Sequence, residues 1–219
     1  MYQDGEDVFY YLTLYNENIH HSPMPEDVEE GILKGLYLFR PAPARLKHHV
    51  QLFGSGSIMR CVLKAQEILA DRFRISSDVW SATSYQQLRN EALSAERWNR
   101  LHPESDPLVP YIARALRDVQ GPFIAATDFM KTVPDLIRPW MTQRYVVLGT
   151  DGYGRSDTHE ALRRFFEVDA ESIAIAALHA LSQDGLIATD EVARAIRDFG
   201  VDPEKPDPLS LPIVGNEPQ

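Results

Sequence analysis

The chain has 219 residues, 44% hydrophobic and 25% charged, which is enough to bury one sizeable core. Its formal charge of -10 excludes general binding to nucleic-acid phosphates, and no basic stripe offsets it. The lone cysteine excludes an intrachain disulfide, the acidic start MYQDGEDV does not suit a signal peptide, and no apolar run reaches the roughly 18 residues of a membrane span; the expectation is a soluble, cytoplasmic protein.

In chain order, DVFYYLTLY (residues 7–15) is a dense β-forming run without an evident partner strand. NENIHHSPMPEDVEEG follows, where Pro23 and Pro25 interrupt regular structure and Glu26 and Asp27 suit the first turn of a short helix. PAPARLK (41–47) reads as a linker, so the expected organisation is a connector over 1–25, a linker with a short helix over 26–47, the main domain over 48–208 and a flexible tail over 209–219. Within the main domain, strands are expected at HHVQLFG, SDVWSAT, GPFIAATD and RYVVLGT. Helical stretches fall at SIMRCVLKAQEILADRF, SYQQLRNEALSAERWNRL, partly DFMKTVPDLIRPWM, THEALRRFF, AESIAIAALHALSQDG and TDEVARAIRDFG. Such alternation implies an α/β fold with a largely parallel sheet between helices on both faces.

Two glycine-rich turns follow strands. LFGSGSIM has Met59 where a dinucleotide fingerprint needs a third glycine, and the next strand ends without an acid. A tight turn with Ser57 as a helix cap is favoured over an anion held by the free N–H groups at the start of this helix. In DGYGRSD, Gly152 and Gly154 permit a close backbone approach, Asp157 and Glu160 form an aspartate version of the capping box, and Arg155 suits an anion or its neighbours Asp151 and Asp157. A structural turn is favoured, and a ligand across Gly152–Asp157 is left open. Cys61 reads as a small core residue, and His179 as a surface or boundary residue. The pairs His20–His21 and His48–His49, with single His102 and His159, form no metal motif; His20 is retained because it lies in an irregular, proline-flanked loop. No nucleophile elbow or P-loop is present.

The stretches YYLTLYNENIHHSPMPE, EEGILKGLY, VQLFGSGSIMR, SDVWSATSYQQL, ERWNRLHP, ATDFMK and VLGTDGYGRSDTHEALRRFFEVD closely resemble, in order, the C-terminal portion of the homodimeric bacterial pyruvate dehydrogenase first component. The resemblance runs from about Asp7 to Pro208. It implies a transketolase-type C-terminal domain: a three-layer sandwich with a five-stranded, mostly parallel sheet. Residues 7–25 would then be the last strand of the preceding pyrimidine-binding domain and its connector.

The family binds thiamine diphosphate and Mg²⁺ through a GDG motif and later asparagines in its first domain, and its activating glutamate lies in the middle domain. TDGYG is not that motif, so the resemblance implies no cofactor or metal ligand on this chain. It implies a parent that decarboxylates pyruvate and acetylates the lipoyl group of the dihydrolipoyl acetyltransferase component. This domain would serve dimer packing and shape the lipoyl entrance, with His20 near that entrance. The partners implied are a second copy of the subunit and the acetyltransferase component, with no nucleic acid or membrane. The alternatives are a non-catalytic docking module, or the same domain of another 2-oxo acid dehydrogenase or transketolase-like enzyme; an independent small-molecule binder is disfavoured by Met59.

Overall fold

The computed structural model describes residues 3, 5–12, 14, 18 and 22–210. Five strands, Leu36–Arg40 (β1), His48–Gly54 (β2), Ile75–Ala82 (β3), Phe123–Ala126 (β4) and Tyr145–Leu148 (β5), form one sheet in the order β1-β3-β2-β4-β5. β1 runs antiparallel to β3, and every other pair is parallel. The helices are Glu29–Lys34 (α1), Met59–Phe73 (α2), Tyr85–Leu101 (α3), Tyr111–Ala115 (α4), Thr132–Asp135 (α5), His159–Phe165 (α6), Ala170–Gln183 (α7) and Thr189–Asp198 (α8).

The pleat divides the strands' side chains between two cores. Val50, Leu52, Val79, Ile124 and Ala126 face α2 and α7, meeting Val62, Leu69, Ile173 and Leu178. Phe53, Trp80, Phe123 and Ala125 face the other way, onto Tyr85 and Leu88 of α3 and Ile112 of α4. Each fully buried Leu, Ile or Val contributes about 1.5–3 kcal/mol. The result is the three-layer α/β sandwich that the strand-helix alternation implied. Ser84 caps α3 by accepting from Gln87 N at 3.1 Å, and Asp169 caps α7 by accepting from Ser172 N at 2.9 Å.

The fifth strand comes from the segment expected to be linker. α1 closes at Gly35, whose φ of 106° sets the turn and whose missing Cβ would stand 2.4 Å from Ser84 O. LYLFR then joins the sheet edge with Leu36 fully buried. Residues 41–47 are therefore a connection within the sheet: Ala42 N donates to Asp78 Oδ1 at 2.8 Å and Leu46 N to Ser76 Oγ at 3.1 Å. The fold begins before His48, and α1 begins at Glu29 rather than at Glu26, because Asp27 takes a positive φ of 57°.

The strand expected over 7–15 is not formed among its described residues, where Phe9, Tyr11 and Leu14 are 88%, 86% and 92% exposed. A lone strand has no partner for its backbone groups and does not hold. Before residue 209, Lys205 Nζ donates to Phe165 O at 2.5 Å and Arg164 O at 3.3 Å, tying residues 201–208 to the end of α6. Among the described residues, no helix is long and apolar enough to cross a membrane.

Candidate functional site

Both glycine-rich turns leave the carboxyl ends of parallel strands, and the fold brings them to one cleft of about 300 Å³. Ser57 and Ile58 come from the turn after β2, Asp128 from the loop after β4, and Thr150, Gly152 and Arg155 from the turn after β5. α6 and the segment after it add His159, Leu162, Arg163, Phe166 and Val168.

Hydrogen bonds lace the three loops together. Ser55 Oγ donates to Thr127 Oγ1 at 2.7 Å, and Ser57 Oγ donates to Asp128 Oδ2 at 3.0 Å. Thr150 Oγ1 donates to the main-chain oxygen of Asp128 at 2.6 Å, and Thr150 N donates to Phe129 O at 2.9 Å. Ser57 is thus a cross-strand tie, not the helix cap expected of it; a short 3₁₀ turn, Gly56–Ile58, leads into α2 without a side-chain cap. Oδ1 of Asp128 is buried and has no hydrogen-bond partner.

The GTDGYGRSD turn also departs from expectation. Thr158, not Asp157, caps α6, its Oγ1 accepting from Ala161 N at 3.2 Å. Asp157 bonds instead to Thr158 N at 2.7 Å, so the reciprocal box with Glu160 is not formed. Arg155 stacks over Phe165 with its guanidinium carbon 4.0 Å from the ring centroid, while Asp151 accepts from Lys131 N at 2.8 Å. Gly152, at φ 98°, lies where an added Cβ would meet Pro208 O at 2.5 Å. The tail therefore packs directly on this turn.

Of the remaining sequence candidates, His20 lies outside the described residues. His179 is exposed, and His102 stacks on Trp98 at 4.3 Å between ring centroids. Cys61 is half-buried at the edge of the α2–α7 core, and burial pushes its thiol up, away from a nucleophile's range. His49 joins Ser76 Oγ at 2.7 Å and Asp78 Oδ2 at 2.9 Å. That Ser-His-Asp contact is structural. Ser76 is 2% exposed, and its hydroxyl donates to His48 O and accepts from Leu46 N. Asp128 was not singled out from the sequence; an aspartate directly after an apolar strand, beside a turn built of glycine and serine, was the available signal.

Among the described residues, no group of three or more His, Cys, Asp or Glu side chains is placed to hold a metal ion. The cleft is instead lined by Asp128, Arg155, Arg163 and His159, with the half-buried Leu162 and Phe166 as its apolar side.

Comparison with known proteins gives the family context. Residues 35–169 match the transketolase-like TK C-terminal domain family. The chain is 48% identical over 95% of its length to the pyruvate dehydrogenase E1 component of Pseudomonas aeruginosa, and covers 24% of that protein. It is 47% identical over 93% of its length to the protein of the same name in Escherichia coli K12, covering 23% of it. The chain thus spans about a quarter of the length of these relatives, matching their C-terminal part. Among solved structures, the transketolase of Leishmania mexicana aligns with 74% of this chain and 20% of its own, at 14% identity and a TM-score of 0.48.

Proposed function

The chain belongs to the transketolase-like C-terminal domain family, and from this premise we propose that it is the C-terminal domain of a pyruvate dehydrogenase first component. In this reading the parent decarboxylates pyruvate on thiamine diphosphate and passes the acetyl group to the lipoyl arm of a dihydrolipoyl acetyltransferase component. The observation that carries the reading is 48% identity sustained over 95% of the chain.

The domain's part in that reaction is to pack the dimer and to shape the approach of the lipoyl arm. The side chains of the cleft support this division of labour. A magnesium diphosphate needs several oxygen ligands for its cation; the cleft offers one carboxylate, Asp128, beside Arg155 and Arg163. The set does not fit the cofactor, whose binding we assign to the part of the parent upstream of Asp7. The exposed aromatic run Phe9–Leu12 supports the same reading, because it carries strand-forming residues without a sheet to join.

Calorimetry of the 219-residue chain with thiamine diphosphate and Mg²⁺, alongside a pyruvate decarboxylation assay, tests the assignment. Neither binding nor turnover is expected, and saturable cofactor binding would place the chemistry on this chain. His20 is assigned to the entrance side. In a full-length enzyme His20→Ala is expected to slow acetyl transfer to the lipoyl domain while leaving the melting temperature near that of the parent. An unchanged transfer rate would show that His20 has no part at that entrance.

A further inference from the structure

The tail arrives at the mouth of the cleft and turns there. Lys205 fixes it to the end of α6, and Pro208 O lies against Gly152, a residue of the cleft lining. Asp207 then folds the chain back. Its Oδ1 accepts from Leu209 N at 2.9 Å, and its main-chain oxygen accepts from Ser210 N at 2.8 Å and Ser210 Oγ at 2.7 Å. With Leu209 Cα only 3.7 Å from the place a Cβ on Gly152 would take, Ser210, the last residue described, lies at the edge of the cleft.

Two residues further along the same turn, Gly154 is unlike the other described glycines. Each of those has a positive φ or an atom within 3.0 Å of where a Cβ would stand. Gly154 has neither, and nothing lies within 4 Å of that place. Its neighbour Tyr153 is 71% exposed. A glycine that nothing inside the fold requires leaves room for a close backbone approach from outside it.

Within the cleft, His159, Leu162, Arg163 and Phe166 follow at steps of three and four along α6 and the residue that closes it, so one helical face forms the lining. Leu162 and Phe166 on that face are half-buried, which leaves apolar surface for an occupant. The sequence that follows Ser210 is LPIVGNEPQ, whose first four residues are apolar and whose one charged residue is Glu217. The lining carries Arg155 and Arg163 against one carboxylate, Asp128, and so suits that charge. Those first four residues reach at most about 14 Å when extended. Attachment at Lys205 and Asp207 holds them at an effective concentration of about millimolar, so a modest contact suffices.

We propose that residues 211–214 dock in this cleft as an intramolecular occupant. The backbone crosses Gly154, and Leu211, Ile213 and Val214 cover Leu162 and Phe166. The chain thereby closes, from within, the crevice at the carboxyl ends of the strands where open α/β sheets bind ligands. The inference is independent of the function proposed above.

Melting temperatures of four proteins test it: the 219-residue chain and the chain lacking residues 211–219, each with and without Gly154→Ala. Loss of the nine residues should lower the melting temperature by about 2 °C or more. Gly154→Ala should lower it by a similar amount in the full chain and leave the shortened chain unchanged. Disulfide trapping identifies the occupant. In a Cys61→Ala background, His159→Cys with Ile213→Cys should close within one chain at least about tenfold faster than Glu191→Cys, on α8, with Ile213→Cys. If the trapping variants fail to fold, the Gly154→Ala comparison decides alone. Disulfide-linked dimers from the first pair would assign the cleft to the segment of a second copy and overturn the proposal. Equal trapping at both positions, or a Gly154→Ala effect that is absent or the same in both lengths, also overturns it.

Discussion

The hydroxyl of Ser57, in the turn after β2, donates to Oδ2 of Asp128, in the loop after β4, at 3.0 Å. This bond joins the ends of two adjacent parallel strands across residues 71 positions apart in sequence. Ser57→Ala removes a donor from a carboxylate whose other oxygen is already without one. A loss of about 1–2 kcal/mol in urea unfolding is expected, with the slope unchanged.

Gly152 tests the packing of the tail. At φ 98°, with an added Cβ 2.5 Å from Pro208 O, Gly152→Ala meets both backbone strain and a collision. The substitution should destabilise by about 1–3 kcal/mol and release residues 201–210 first. Limited digestion with a glutamyl endopeptidase would show this as faster cleavage after Glu204 than in the unsubstituted chain.

Asp78 makes stability depend on pH. Burial pushes its carboxyl up, but hydrogen bonds from Ala42 N, His49 and Gln51 outweigh that and hold it below the ordinary aspartate value. A depressed folded-state value means that the stabilisation is complete above the unfolded value, about 3.9, and is lost as pH falls through the folded one. Asp78→Asn should therefore lower stability at neutral pH and flatten the acid limb of the melting-temperature profile below about pH 4. An acid limb identical in both proteins would show that the Asp78 cluster does not tie the 41–47 connection.

Tyr85 gives a prediction of opposite direction. Its ring is 3% exposed in the α3-side core, its hydroxyl has no hydrogen-bond partner, and burial pushes its ionisation far up. Tyr85→Phe removes an unsatisfied polar atom and little else. Thermal unfolding should show equal or higher stability; a clear loss would reveal a partner for that hydroxyl.

Much of the sheet was legible because parallel strands buried on both faces stand out as apolar runs, and helical periodicity separates them. β1 was not legible. LYLFR is short, follows a helix by a single glycine and precedes PAPARLK, and its pairing with β3 involves residues some forty positions away, such as Tyr37 with Ser81. The cap of α6 was misplaced for a local reason: Asp157 and Thr158 are both good capping residues at adjacent positions, and only the loop path selects between them. The cleft itself depends on strand order. Nothing in ATDFM alone tells that Asp128 will sit beside Ser57; the adjacency of β2 and β4 does.

The proposed role as the C-terminal domain of a pyruvate dehydrogenase first component is open to complementation. The most direct measurement replaces the matching C-terminal quarter of the Pseudomonas aeruginosa relative with this chain and assays thiamine-diphosphate-dependent oxidation of pyruvate. A dimeric chimaera with activity well above that of the truncated relative is expected. A chimaera that folds and dimerises yet shows no more activity than the truncated protein would contradict it.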